Sequence, residues 1–170
     1  MPPRRLTLSY SAPVEAGDAR RVAASAGRNT GAILDVLGRH APERGRALEL
    51  AAGTGQHSLA CARAFPGLHW QPTDGAPDAL ASIAAWRLAE GPANLAEPVL
   101  LDIADPDWPL RHGGQDLVFV ANLLHLISAA EAQAAIAGIG AALAPGGIGA
   151  IYGPFRRDGA LTSDGDRAFD

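Results

Sequence analysis

From residue 29 onward, short apolar runs alternate with segments whose apolar positions recur at helical spacing. Asn29 or Thr30 caps a predicted helix with Ile33, Leu34 and Leu37 on one face, ended by Pro42 and Gly45. Ala47–Ala51 reads as a buried strand that breaks into the small-residue loop Ala52-Gly53-Thr54-Gly55. A helix over Gln56–Phe65 follows, with Leu59, Ala62 and Phe65 in register and Pro66-Gly67 as its stop. A second strand, Leu68–Thr73, ends at Asp74. Pro77 and Asp78 then open a helix that carries Leu80, Ile83 and Ala84 and runs to about Glu90. Pro98–Leu101 is the third strand, ending at Asp102, and 104–109 is a loop or single turn.

The fourth strand, Asp116–Ala121, is apolar without interruption after its first residue. Such a run predicts burial on both faces and so a parallel sheet covered by helices. Ser128 and Glu131 form a capping box before a helix with Ile136, Ile139 and Leu143, closed by Pro145-Gly146-Gly147. Ile148–Tyr152 is the fifth strand; 153–170 has no strand signal, and 1–27 is weakly patterned, with a short helix around Asp18–Ala24. Five strands alternating with helices at roughly 25-residue spacing predict a doubly wound α/β fold with helices on both faces. We read residues 28–170 as one domain.

Composition narrows the class. At 170 residues the chain is long enough for one proper core, and 48% hydrophobic residues exclude disorder. A net charge of −4 gives no general attraction for nucleic acid or anionic membrane. All 14 basic residues are arginine, which excludes lysine Schiff-base chemistry. The single Cys61 forms no internal disulfide, no apolar run approaches a membrane span, and the expected compartment is the cytoplasm.

In an open α/β sheet, ligands bind beyond the carboxyl ends of the strands, where strand order reverses. Those ends carry Glu49 with the Gly53/Gly55 loop, then Asp74, Asp102, Asn122 with His125, and Tyr152. The Gly53-Thr54-Gly55 backbone leaves N–H groups open to a carboxylate at the start of a helix. Asp74 lies 19 residues after Gly55, near the interval at which an acid meets ribose hydroxyls. Asp102 can accept from an adenine amino group with Ile103 against the ring, and the backbone around Asn122 can take an ammonium. His57 reads as a local hydrogen bonder rather than a catalytic group, and no cluster has metal-ligand spacing.

The segment Glu49-Leu-Ala-Ala-Gly-Thr-Gly55 resembles the first motif of class I S-adenosylmethionine-dependent methyltransferases, with Ala51 standing at the first glycine. Asp74, Asp102 and the Leu143-Ala-Pro-Gly-Gly147 turn match further features of that superfamily. A closer resemblance, to the uncharacterised methyltransferase-like protein 26 family, rests on several short stretches. These are Arg28-Asn29, Gly53–His57, Trp70–Asp74, Ser82–Trp86, Asn122–His125 and Tyr152–Phe155, followed by Asp158-Gly159 and Thr162-Ser163. The resemblance implies a Rossmann-like, mostly parallel sheet and S-adenosylmethionine as cofactor, with S-adenosylhomocysteine as product. It also implies cofactor contacts from Asn29, Glu49, Ala51, Gly53, Thr54, Gly55, Gln56, Asp74, Asp102, Ile103 and Asn122. The superfamily's C-terminal antiparallel hairpin is expected to be missing or truncated.

The expected activity is methyl transfer to a small molecule, or less readily a protein side chain, with His125 and Tyr152 on the acceptor side. Asn122-Leu-Leu-His125 is unlike the Pro-Pro-aromatic motif of nucleobase amino methyltransferases, which argues against that substrate class. Two alternatives are a non-catalytic domain that binds the cofactor or a partner, and a nicotinamide dehydrogenase. Ser58, in place of the final glycine or alanine of a dinucleotide fingerprint, argues against the latter.

Overall fold

The structure is a computed structural model that describes residues 11–15 and 17–161. The remainder of the weakly patterned N-terminus and residues 162–170, with Thr162 and Ser163, lie outside the described residues. The first described element is an antiparallel hairpin of β1 (Ser11–Pro13) and β2 (Arg21–Ala23), where a short helix around Asp18–Ala24 was expected. Helix α1 (Ala24–His40) follows directly, so Asn29 and Thr30 lie inside it rather than capping it. Its N-cap, Ala23, offers no side-chain acceptor.

The main sheet is built from β3 (Gly45–Leu50), β4 (Leu68–Asp74), β5 (Val99–Leu100), β6 (Gln115–Ala121) and β7 (Leu143–Tyr152). Its order is β5-β4-β3-β6-β7, and every pairing is parallel. The connecting helices are α2 (Gln56–Ala64), α3 (Pro77–Glu90), α4 (Trp108–Arg111) and α5 (Ala129–Ala142). Alternation along the central strands divides the core in two. Ala47, Leu117 and Phe119 pack with Ile33 and Leu37 of α1 and Leu59 and Ala62 of α2. Leu48, Leu50, Val118 and Val120 face the opposite way, onto Trp108, Ile139 and Ala142 of α4 and α5. The sheet is therefore doubly wound, as expected.

Local departures have local causes. The third strand shrinks to two residues because Pro98, with no N–H to donate, breaks the edge; upstream, Trp70 pairs with the Asn94–Ala96 backbone instead. Helix α5 starts with the predicted capping box and stops at Ala142, so Leu143 opens β7 rather than closing the helix. The register slips between the Gln115–Leu143 and Leu117–Ile148 pairs, and regular pairing resumes at Ile148, where the strand was expected to begin. The tail, expected to hold no strand, contains the antiparallel pair β8 (Arg156–Arg157) and β9 (Ala160–Leu161). Its turn is Asp158-Gly159, both at positive φ (52° and 78°), which is the hairpin chemistry of an Asp-Gly dipeptide. This hairpin forms its own sheet and adds no strand to the five.

Candidate functional site

The order β5-β4-β3-β6-β7 places the topological switch between β3 and β6, and both strands leave the sheet there through left-handed corners. Ala51 follows β3 with φ 50°, and Asn122 follows β6 with φ 55°. Asparagine tolerates this conformation, and the Asn122 N–H is secured by the Tyr152 carbonyl (2.8 Å). Alanine has no such compensation. Replacing Ala51 by glycine relieves roughly 1–2 kcal/mol of backbone strain against the greater entropy of glycine in the unfolded chain. The expected net gain is about 0.5–1 kcal/mol in urea unfolding; a loss of stability would show that the Ala51 methyl is needed for packing.

Beyond Ala51 the loop is held from two sides. The Ala52 N–H donates to the Thr73 carbonyl (2.9 Å), and the Gly53 N–H donates to Asp74 Oδ2 (2.9 Å). The Ala76 N–H donates to Asp74 Oδ1 (2.9 Å), so this carboxylate joins the end of β4 to the glycine loop and keeps spare lone pairs on both oxygens. Burial raises the Asp74 pKa, although the N–H groups of Gly53, Ala76 and Gly75 favour its charged form. Gly55, the N-cap of α2, has φ 86°, and a Cβ there would lie 3.0 Å from the Ile83 Cα. Its lack of a side chain therefore serves close packing against α3.

Glu49 sits inside β3, 2% exposed, and its Oε2 accepts from the Trp70 indole N–H (2.7 Å). Burial lifts its pKa from 4.5 to about 7; the Ser58 hydroxyl and the Trp70 indole oppose the rise, and the Asp74 charge adds to it. Ser58 Oγ, wholly buried, meets no partner at full hydrogen-bond geometry among the described residues.

Gln56 faces the N-terminal hairpin. Its Oε1 accepts from the Ala23 N–H (2.6 Å) and from the Thr54 hydroxyl (3.1 Å), which fixes the start of α1 onto the loop. Ser82 Oγ accepts from the Arg21 N–H (2.9 Å) and donates to the Thr54 carbonyl (2.8 Å); the Trp86 indole N–H donates to the Arg21 carbonyl (3.0 Å). Arg20 lies over the Trp86 ring at 5.2 Å. Ser82 and Trp86 thus seat β2 as a strap beside the loop. Sequence reasoning missed this pairing; the i, i+4 spacing of the two residues on one helix face is the signal that could have found it.

The other sequence candidates lie around this centre. Asp102, exposed just after β5, accepts from the Ala104 N–H (2.9 Å) in a local turn. Ile103 is half-buried against the α4–α5 side of the core. Asn29 is half-buried on α1, next to Thr30, whose Oγ1 lies 3.3 Å from His57 Nδ1. Tyr152 packs on the α1 side of the sheet, and His125 stands exposed in a 3₁₀ turn (Leu124–Leu126), its pKa lowered by desolvation. The glycine loop, Gln56, Asp74 and Glu49 come together directly. Asp102 with Ile103, Asn122 with Tyr152, and His125 occupy the ends of neighbouring strands.

Known structures share this fold. An O-methyltransferase family protein from Burkholderia thailandensis superposes with a TM-score of 0.64 at 22% identity, over 75% of this chain and 37% of its own. The glycopeptide N-methyltransferase MtfA, in complex with S-adenosyl-L-methionine, gives 0.58 at 24% identity over 70% of this chain and 51% of its own. The S-adenosylmethionine-dependent methyltransferase SibL gives 0.66 at 23% identity, over 79% and 38%. The chain thus has the fold of class I methyltransferases and spans about half, or less, of the length of these proteins. It belongs to the family described as protein of unknown function (DUF938), whose model matches residues 20–170.

Proposed function

We propose that this chain binds S-adenosylmethionine at the β3–β6 switch and transfers its methyl group to a small-molecule acceptor. The observation that carries the reading is the Asp74 carboxylate, anchored to the glycine loop yet holding free lone pairs at the end of β4. The donor set fits the cofactor. The first N–H groups of α2 have no intrahelical partner and suit a carboxylate. Asp74 suits vicinal ribose hydroxyls, and Asp102 with Ile103 suits an adenine edge and face. Carbonyls at the Ala51 and Asn122 corners suit an ammonium, while Glu49 shapes the loop from beneath. The cofactor supplies an activated methyl group; the protein's task is to align it with a nucleophile. Asn29, Tyr152 and His125 border the acceptor side, where His125 takes a proton if the acceptor must lose one.

The finer likeness to the methyltransferase-like protein 26 family is consistent with the roles seen for Gln56, Ser82 and Trp86, residues within its shared stretches. We further propose one domain over residues 28–170 acting in the cytoplasm, without nucleic acid or membrane as partner. No helix among the described residues is long and apolar enough to cross a membrane. Calorimetric titration with S-adenosylhomocysteine is expected to give saturable heat; none at high protein concentration would overturn the reading. Saturable binding without methyl transfer to any of a broad acceptor panel would favour a non-catalytic cofactor-binding domain.

A further inference from the structure

His57 occupies the first turn of α2, two residues beyond Gly55, and is 8% exposed. Its ring stands edge-on to Phe119 of β6, with centroids 6.3 Å apart and planes at 86°. On the other side, its Nδ1 lies 3.3 Å from Thr30 Oγ1. The Thr30 hydroxyl has one proton, and it is donated to the Ala26 carbonyl at 2.7 Å. Toward His57 it therefore presents a lone pair, so Nδ1 carries the ring hydrogen. Burial holds the imidazole pKa below its ordinary value, and no charged neighbour offsets this. The ring is neutral, and its second nitrogen, Nε2, bears a lone pair.

Nε2 has no hydrogen-bond partner among the described residues, and it is not sealed away either, since Ser58 Oγ is the buried polar side-chain atom left unpartnered. An unpartnered acceptor on a ring oriented by Thr30 thus adjoins the loop proposed to hold the cofactor's amino-acid end. An ammonium has three N–H groups to place. The Asn122 N–H takes one lone pair of the Tyr152 carbonyl, which leaves that oxygen a single further site. Phe119, the strand residue beside His57, lies three positions back from Asn122. This sets the imidazole beneath the strand ends, on the α1 and α2 face of the sheet.

We infer that His57 is a specificity-determining residue whose Nε2 accepts an N–H from the α-ammonium of the bound ligand, selecting ligands that carry the amino-acid end. The inference rests on the cofactor reading above. It is tested on the full chain by calorimetry with S-adenosylhomocysteine and with 5′-methylthioadenosine, which has the nucleoside and sulfur but no amino-acid end. His57→Phe keeps a ring against Phe119 and is expected to weaken S-adenosylhomocysteine by about 10- to 100-fold, the range for a hydrogen bond to a charged group. Methylthioadenosine should be unaffected. His57→Gln, whose carbonyl reaches near the Nε2 position, should recover most of the affinity. Equal weakening of both ligands would reduce the ring to a packing role, and unchanged S-adenosylhomocysteine affinity would also overturn the inference. A wild-type protein that binds neither ligand would instead sink the cofactor reading, and this inference with it. Independently of variants, ¹⁵N spectra of the unliganded wild type should show the Nδ1–H tautomer. The Nε2 resonance should move on adding S-adenosylhomocysteine but not methylthioadenosine; an Nε2–H tautomer would overturn the assignment.

Discussion

Glu49→Gln should make the protein more stable above pH 7 and flatten the dependence of its stability on pH. The folded protein raises the Glu49 pKa from 4.5 to about 7, so the native state binds this proton more tightly than the unfolded chain. The associated stability is fully present below pH 4.5 and is lost as pH rises through about 7. Moving from one value to the other corresponds to about 3 kcal/mol, and roughly 2–3 kcal/mol of it falls between pH 5 and pH 8. Glutamine keeps an acceptor for the Trp70 indole, and its amide N–H can reach the unpartnered Ser58 hydroxyl. His57 acts in the opposite sense, because its lowered pKa costs stability as pH falls below 6.5. The difference between wild type and variant removes that contribution. Urea unfolding at several pH values is the measurement, and parallel stability profiles for the two proteins would refute the claim.

Asp74→Ala is expected to abolish measurable binding of S-adenosylhomocysteine. The substitution removes the acceptor for both the Gly53 and Ala76 N–H groups together with the proposed ribose contact. Losing two or more charge-assisted hydrogen bonds costs about 3–5 kcal/mol, or roughly 10²- to 10⁴-fold in affinity. Stability should fall by about 1–3 kcal/mol, the cost of leaving such groups unpaired. Asp74→Asn keeps one acceptor oxygen and should lie between the two. Calorimetry paired with thermal unfolding separates loss of binding from loss of fold. Binding by Asp74→Ala at wild-type strength would show that the carboxylate neither shapes the loop nor meets the ligand.

The sheet was legible because its central strands are read locally. Leu117–Ala121 is apolar on both faces and Ala47–Leu50 is interrupted only by Glu49, and each is followed by helical spacing that covers it. The capping box at Ser128 and Glu131 was likewise complete within four residues of sequence. Elements fixed by distant partners were not legible. Helix α1 begins five residues before Asn29 because Gln56 Oε1, 33 residues away, holds the Ala23 N–H. The β1–β2 hairpin depends on Ser82 and Trp86 in the same way.

Within the site, Asp74 was found by its spacing from the loop, although its bond to Gly53 was not foreseen. Gln56 was placed against a cofactor, yet its carbonyl is occupied by backbone and hydroxyl donors. Ala51 seemed a minor exchange for glycine; only the backbone reveals the left-handed turn that makes glycine the natural occupant. His57 was passed over because its meaning lies in the direction of one Thr30 hydroxyl hydrogen, which no sequence pattern encodes.

The strap formed by β2 also has a consequence for the order in which the molecule assembles. Its three bonds to Gln56, Ser82 and Trp86 close loops of 33, 61 and 65 residues. The pairing of β3 with β4, at a separation of 23 residues, and the packing of α2 upon it need shorter excursions of the chain. Loop closure grows costlier with length, and distant contacts form after local ones have reduced that cost. The strap therefore docks after β3, α2 and β4 have come together. Thr54 and Gln56 reach their final positions only then. A ligand that requires the finished glycine loop would consequently report the docking of the strap rather than the first pairing of β3 with β4.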